Sequence, residues 1–135
     1  MSRDGECPAS LLSPSALAFV GDTVFDLLVR EKLVREANRP SGKLHALATQ
    51  LVCASAQAKA ARDIEPALDE LEKAVLLRGR NAHHAHIPKN ATQADYRLAT
   101  GLEALFGWLY LRGDEARLRE LFGIICEHAR FGGAG

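Results

Sequence analysis

Two stretches of this chain, residues 14–37 and 92–113, read as helices that are apolar on almost every side. In the first, Leu17, Phe19, Val20, Val24, Phe25, Leu27 and Leu28 point in nearly every direction. In the second, Leu98, Leu102, Leu105, Phe106, Trp108, Leu109 and Leu111 do the same. A helix that is apolar all round belongs in an interior, so these two are expected to form the central pair of a bundle. Each also carries a mid-helix glycine, Gly21 and Gly107. Glycine there costs up to about 1 kcal/mol relative to alanine, and close approach of the two helices is the simplest compensation.

The remaining sequence agrees with an all-α domain. Alanine and leucine number 22 and 20, whereas valine, isoleucine and threonine together number 14. That balance favours helix over strand. With 135 residues the chain is the size of one domain. Ser13-Pro14 reads as an N-cap followed by proline at the first helical position. A turn at 38–42 precedes a helical region over 44–62, with a break near Gln50. Pro66 is expected to open a short helix through Leu77, followed by a loop over 79–91. Thr92 caps the second apolar helix, with Asp95 three residues on. Asp114 caps a last helix that fades at Gly132-Gly133. The expected layout is a flexible N-terminus at 1–13, a single domain over 14–131 and a tail at 132–135.

Each central helix contains an acid out of keeping with its surroundings, Asp22 in one and Glu103 in the other. A buried carboxylate must be paired, protonated or bound to a cation. Small residues, Ala99, Thr100 and Gly107, share the face of Glu103 and suggest a hollow above it. If the helices pack together, both acids face one cavity, and hard oxygen ligands there suit magnesium, which takes one or two carboxylates and fills its shell with water and phosphate. Spacing alone leaves a structural acid, satisfied by an arginine or a buried water, as the alternative. Asp26 is expected to pair with Arg30 at i+4.

Charge is unevenly distributed, although Lys+Arg and Asp+Glu are both 17 and the net charge is zero. Neutrality excludes a globally basic coat for nucleic acid. Locally, Glu65, Asp69, Glu70 and Glu72 suggest an acidic helix face. From Lys73 to Ala94 there is no acid, and the stretch carries Lys73, Arg78, Arg80 and Lys89 with His83, His84 and His86. A cationic loop beside an acidic cavity is what a phosphodiester substrate requires; a solvated loop is the plain alternative. The three histidines lack further ligands nearby and make a poor metal site. No apolar run approaches 18 residues, which excludes a spanning helix. No signal pattern opens the chain, so a cytoplasmic protein is expected. Cys7, Cys53 and Cys126 form no C-x-x-C and read as idle thiols.

The run Gly21-Asp22-Thr23-Val24-Phe25 resembles the G-D-x-[VI] core of the ribonuclease III signature, and Thr100 to Gly107 resembles that family's second acidic helix. The order of further runs is similar to the short, mini form of the family. These are Leu44-His45, Ser55-Ala56-Gln57-Ala58, Leu77 to Ala82, Pro88-Lys89-Asn90 and Tyr96-Arg97. The likeness spans about Ala16 to Leu111. It implies the ribonuclease III endonuclease fold, a homodimer, and magnesium-dependent cleavage of double-stranded RNA to a 3′-hydroxyl and a 5′-phosphate. It further implies a role in maturing large-subunit ribosomal RNA precursor, with RNA affinity supplemented by the dimer surface and by a ribosomal protein partner. The stretch after Glu103 is too short for an added double-stranded-RNA-binding domain, as expected for the mini form.

Asp22 and Glu103 are then the implied catalytic residues and magnesium ligands, and Arg78, Arg80, Asn81, Lys89 and Asn90 the expected RNA contacts. The full-length signature has further acids where this chain has Ser15, Ala18 and Thr100; the mini form shows similar losses. A non-catalytic RNA-binding module on the same fold is the alternative reading.

Overall fold

A computed structural model describes residues 8–82, 87, 89 and 91–129. Among them are six α-helices and no strand: α1 (Pro14–Glu36), α2 (Ser41–Val52), α3 (Ala54–Ile64), α4 (Glu70–Asn81), α5 (Gln93–Leu111) and α6 (Glu115–Ala129). The all-α fold expected from the sequence is what the chain adopts. None of these helices is long and apolar enough to cross a membrane.

Helix starts follow local chemistry. Ser13 Oγ accepts from the Ala16 amide at 3.1 Å, with Pro14 in the first turn. Thr92 Oγ1 accepts from Asp95 N at 3.1 Å and Asp114 Oδ1 from Arg117 N at 3.3 Å. Each satisfies an amide the helix cannot pair internally. The end of α5 is a Schellman turn. Gly113 has φ +77°, its amide donates to the Tyr110 carbonyl, and that of Asp114 donates to Leu109, both at 2.9 Å. Of the N-terminal stretch, Ala9–Leu11 forms a 3₁₀ turn with Ala9 buried.

Three boundaries differ from expectation. The α2–α3 break falls at Cys53, not Gln50. Cys53 is extended (φ −69°, ψ 161°), and its Sγ contacts the Gln50 carbonyl and Ser55 Oγ, both at 3.4 Å, local bonds that compete with helix continuation. Pro66 opens only a 3₁₀ turn, Glu65–Ala67, and α4 starts four residues later than expected. Its start is fixed by a capping box: Glu72 N donates to Asp69 Oδ1 at 2.8 Å, and Asp69 N donates to Glu72 Oε1 at 2.9 Å. Finally, α4 continues to Asn81, so Arg78, Arg80 and Asn81 stand on a helix and not in a loop.

Helix α5 is the axis of the bundle, with α1, α3 and α4 packed around it. The glycines explain how. A Cβ at Gly21 would collide with the Glu103 carbonyl, and one at Gly107 with the Leu17 carbonyl. The backbones of α1 and α5 therefore touch at the level of both acids. The hollow expected beside Gly107 is filled by α1 itself. A second interlock joins α4 to α5: a Cβ at Gly79 would meet Ala104, and one at Gly101 would meet Leu76. Phe25 then packs edge-on against Phe106 and Phe122, with centroids 5.6 and 6.0 Å apart, and ties α6 to the core.

The first apolar helix is not buried all round. Leu17, Phe25, Leu28, Val29 and Leu33 face the core, but Phe19 and Leu27 are 82% and 65% exposed and Val34 is also exposed. Periodicity cannot distinguish a face that meets its own core from one left for another molecule.

Candidate active site

Asp22 and Glu103 stand where α1 and α5 touch. The glycine at position 21 brings the α1 backbone onto the Glu103 carbonyl, and the two acid side chains lie within hydrogen-bonding contact of each other. Their exposure is unequal. Asp22 is open to solvent, contrary to the buried position expected for it, whereas Glu103 is largely enclosed. Asp22 thus forms the mouth of the site and Glu103 its floor.

The electrostatics follow from that geometry. Burial raises the proton affinity of Glu103, and the Asp22 charge and a side-chain hydrogen bond to Asp22 raise it further, to a pKa of about 8. Removing a carboxylate from water and placing it beside a like charge both disfavour ionisation. A side-chain hydrogen bond from Gln57 acts the other way. Gln57 reaches the site from α3 and is itself 3% exposed. No group of three or more Asp, Glu, His or Cys side chains converges among the described residues. Among the described residues, Asp22 and Glu103 are the two acids that meet at this point.

The expected arginine partner for a buried acid exists, but at another residue. Glu72 was assigned to an acidic surface; it is 4% exposed and receives two bonds from Arg117, at 2.7 Å from Nε and 2.8 Å from Nη2. Arg117 also donates to the Ala67 carbonyl at 2.7 Å. The guanidinium holds the Glu72 carboxyl below its usual pKa. Asp26 pairs with Arg30 as expected, at 3.1 Å.

Arg78, Arg80, Asn81 and Lys89 are all exposed. Arg80 Nε donates to Asn81 Oδ1 at 3.0 Å. The Gly79–Gly101 interlock sets this end of α4 against α5, and Arg80 lines a small cavity there with Leu68, Lys73, Leu77 and Leu98. Asn90, His83, His84 and His86 lie outside the described residues. In the sequence Gln57 is marked only by its place in the run Ser55-Ala56-Gln57-Ala58. Its helix alternates alanine with polar residues, and nothing in the pattern marks one polar side chain as buried.

The model of the family described as "Ribonuclease III domain" matches residues 15–114, the segment that builds α1 through α5 and carries both acids. The chain belongs to the ribonuclease III domain family and is an endoribonuclease of that family. Within it, the chain is 44% identical over 110 residues to a Mini-ribonuclease 3 of Thermoanaerobacter sp., covering 82% of this chain and 78% of that one. It is 43% identical over 110 residues to a Mini-ribonuclease 3 of Symbiobacterium thermophilum, covering 82% and 85%. A crystal structure of a Fusobacterium nucleatum protein superposes with a TM-score of 0.79 at 27% identity, over 94% of this chain and 96% of that one.

Proposed function

We propose that this endoribonuclease hydrolyses double-stranded RNA with magnesium held by Asp22 and Glu103. The observation that carries the reading is the meeting of the two carboxyls at the α1–α5 contact, with no basic residue neutralising Glu103 among the described residues. Two oxygen ligands at a solvent-open mouth fit magnesium, which binds through one or two carboxylates and retains water and phosphate in its shell. A cation would also offset the burial and the Asp22 repulsion that together favour a protonated Glu103. When bound, magnesium supplies Lewis-acid polarisation of the phosphate and a water of lowered pKa. The chain's own part is placement. Glu103 is fixed by the core helix, Asp22 opens the site to the backbone, and no side-chain nucleophile is invoked.

Arg78, Arg80, Asn81, Lys89 and Asn90 are assigned to the RNA backbone. A-form RNA offers phosphates and 2′-hydroxyls across a shallow minor groove, so recognition there is mainly of shape. Phe19, Leu27 and Val34 share one side of α1, and exposed Tyr110 shares a cavity of about 300 Å³ with Leu27. Such a patch suits a homodimer contact, which gives one acid pair per strand. Phe19→Glu should turn a sedimenting dimer into a monomer; an unchanged dimer removes this face from the assignment. Large-subunit ribosomal RNA precursor, presented with a ribosomal protein in the cytoplasm, is the substrate that the family likeness suggests.

A perfect RNA duplex incubated with and without magnesium tests the reading. Magnesium-dependent cutting supports it. Duplex that is shifted but uncut supports the binding-module alternative, and duplex neither bound nor cut overturns both.

A further inference from the structure

Only two polar or charged side chains stand among the buried residues described, Glu72 and Gln57. Glu72 is accounted for by its two bonds from Arg117. Gln57 needs its own explanation. It projects from α3, whose other buried residues are Ala58, Ala60, Ala61 and Ile64. A carboxamide has two donor hydrogens and an acceptor oxygen, and burying it without partners costs free energy that an apolar residue would avoid. Helix α3 packs on α5, and across that packing the carboxamide comes close enough to the Glu103 carboxyl to favour its charged form.

We propose that Gln57 is a positioning residue for Glu103: its buried carboxamide holds the Glu103 carboxyl in place beside Asp22, ready for a divalent cation. The inference rests on the cation-site reading of Asp22 and Glu103. A glutamate side chain has several rotatable bonds, and freezing them costs conformational entropy. A donor already fixed by the core meets that cost before the cation arrives. Such outer partners typically change metal affinity by about 10- to 100-fold when removed. Gln57 comes from a third helix, so the site is assembled by α1, α3 and α5 together. Asp22 has no comparable need, because an exposed ligand at the mouth can adjust to the substrate.

The test is a calorimetric titration of the intact protein, without RNA, with magnesium and with manganese as probes. Four forms are compared: wild type, Gln57→Met, Glu103→Gln and the double variant. Gln57→Met keeps length and removes the donor. It should weaken cation binding about 10- to 100-fold in the wild-type background and change nothing further beside Glu103→Gln. In cleavage assays the same variant should lose kcat at low magnesium, keep KM for RNA and recover as magnesium is raised. Equal binding by wild type and Gln57→Met overturns the proposal, and so does the same loss in both backgrounds, which marks a general core defect. Should Gln57→Met fail to fold, the side-chain amide resonance of Gln57 in the wild type gives the answer. It should move on adding magnesium and in Glu103→Gln; a resonance that moves in neither case overturns the proposal. A wild type that binds neither cation instead overturns the functional reading on which this one rests.

Discussion

Two glutamates are enclosed by this small fold, and their surroundings are opposite. Glu72 has Arg117 across two short bonds and a capping-box amide, Asp69 N, on one oxygen. Its charge is matched, and its proton affinity falls. Among the described residues Glu103 has another acid beside it and one neutral donor, and its proton affinity rises. The same residue type is therefore structural in one place and chemically unfinished in the other. A buried group whose partners fail to neutralise it marks a site better than burial itself does.

The sharpest way to separate the two is by what each loss removes. Asp22→Asn or Glu103→Gln should lower duplex cleavage by at least about a thousandfold, some 4 kcal/mol of barrier, with the helical content kept and no loss of thermal stability. A near-wild-type rate in either variant would sink the site assignment. Arg117→Met does the reverse. It strands Glu72 as an uncompensated buried charge and should cost about 3–5 kcal/mol of stability in denaturant unfolding. A loss below about 1 kcal/mol would show the pair to be a surface contact in effect.

Proton linkage sets the regions against each other again. Glu103 keeps its proton to about pH 8 in the fold, against an ordinary value of 4.5. Between those values the unfolded chain binds fewer protons, so stability falls as pH rises and levels off above about 8. Metal-free protein should therefore lose on the order of a few kcal/mol over that window, and Glu103→Gln should abolish the loss. Glu72 has the opposite sign, since its lowered pKa means a contribution lost only as acid is added below the ordinary value. A metal-free stability profile that is flat from pH 5 to 8 in the wild type would contradict the unequal partnering. The smallest effect belongs to the basic end of α4. Arg80→Ala should weaken duplex binding and reduce the salt slope by about one phosphate contact; an unchanged slope takes Arg80 off the RNA.

Much of this contrast is legible in the sequence. Ser13, Thr92 and Asp114 each cap as their spacing implies, because capping is local chemistry. Gly21 and Gly107 were meaningful as mid-helix glycines, and the contact they permit is what brings the acids together. The rest depended on distance along the chain. Arg117 lies 45 residues from Glu72, and no local pattern links them, so Glu72 passed for a surface acid. The burial of Gln57 depends on how α3 leans on α5. The end of α4 was misread because Gly79 resembles a helix stop, whereas here it is the small residue that lets α4 touch α5. Phe19 and Leu27 looked like core because an exposed apolar side of a helix and a core face have the same composition.

Site-resolved titration of the Glu103 carboxyl, by carbon-13 NMR on selectively labelled protein, tests the central claim most directly. Without divalent cation it should titrate near pH 8, and with saturating magnesium it should fall to the ordinary carboxylate range or below. Asp22→Asn should bring it part of the way down and blunt the response to magnesium. A Glu103 that titrates near 4.5 in the metal-free wild type, and does not respond to magnesium, would contradict the account.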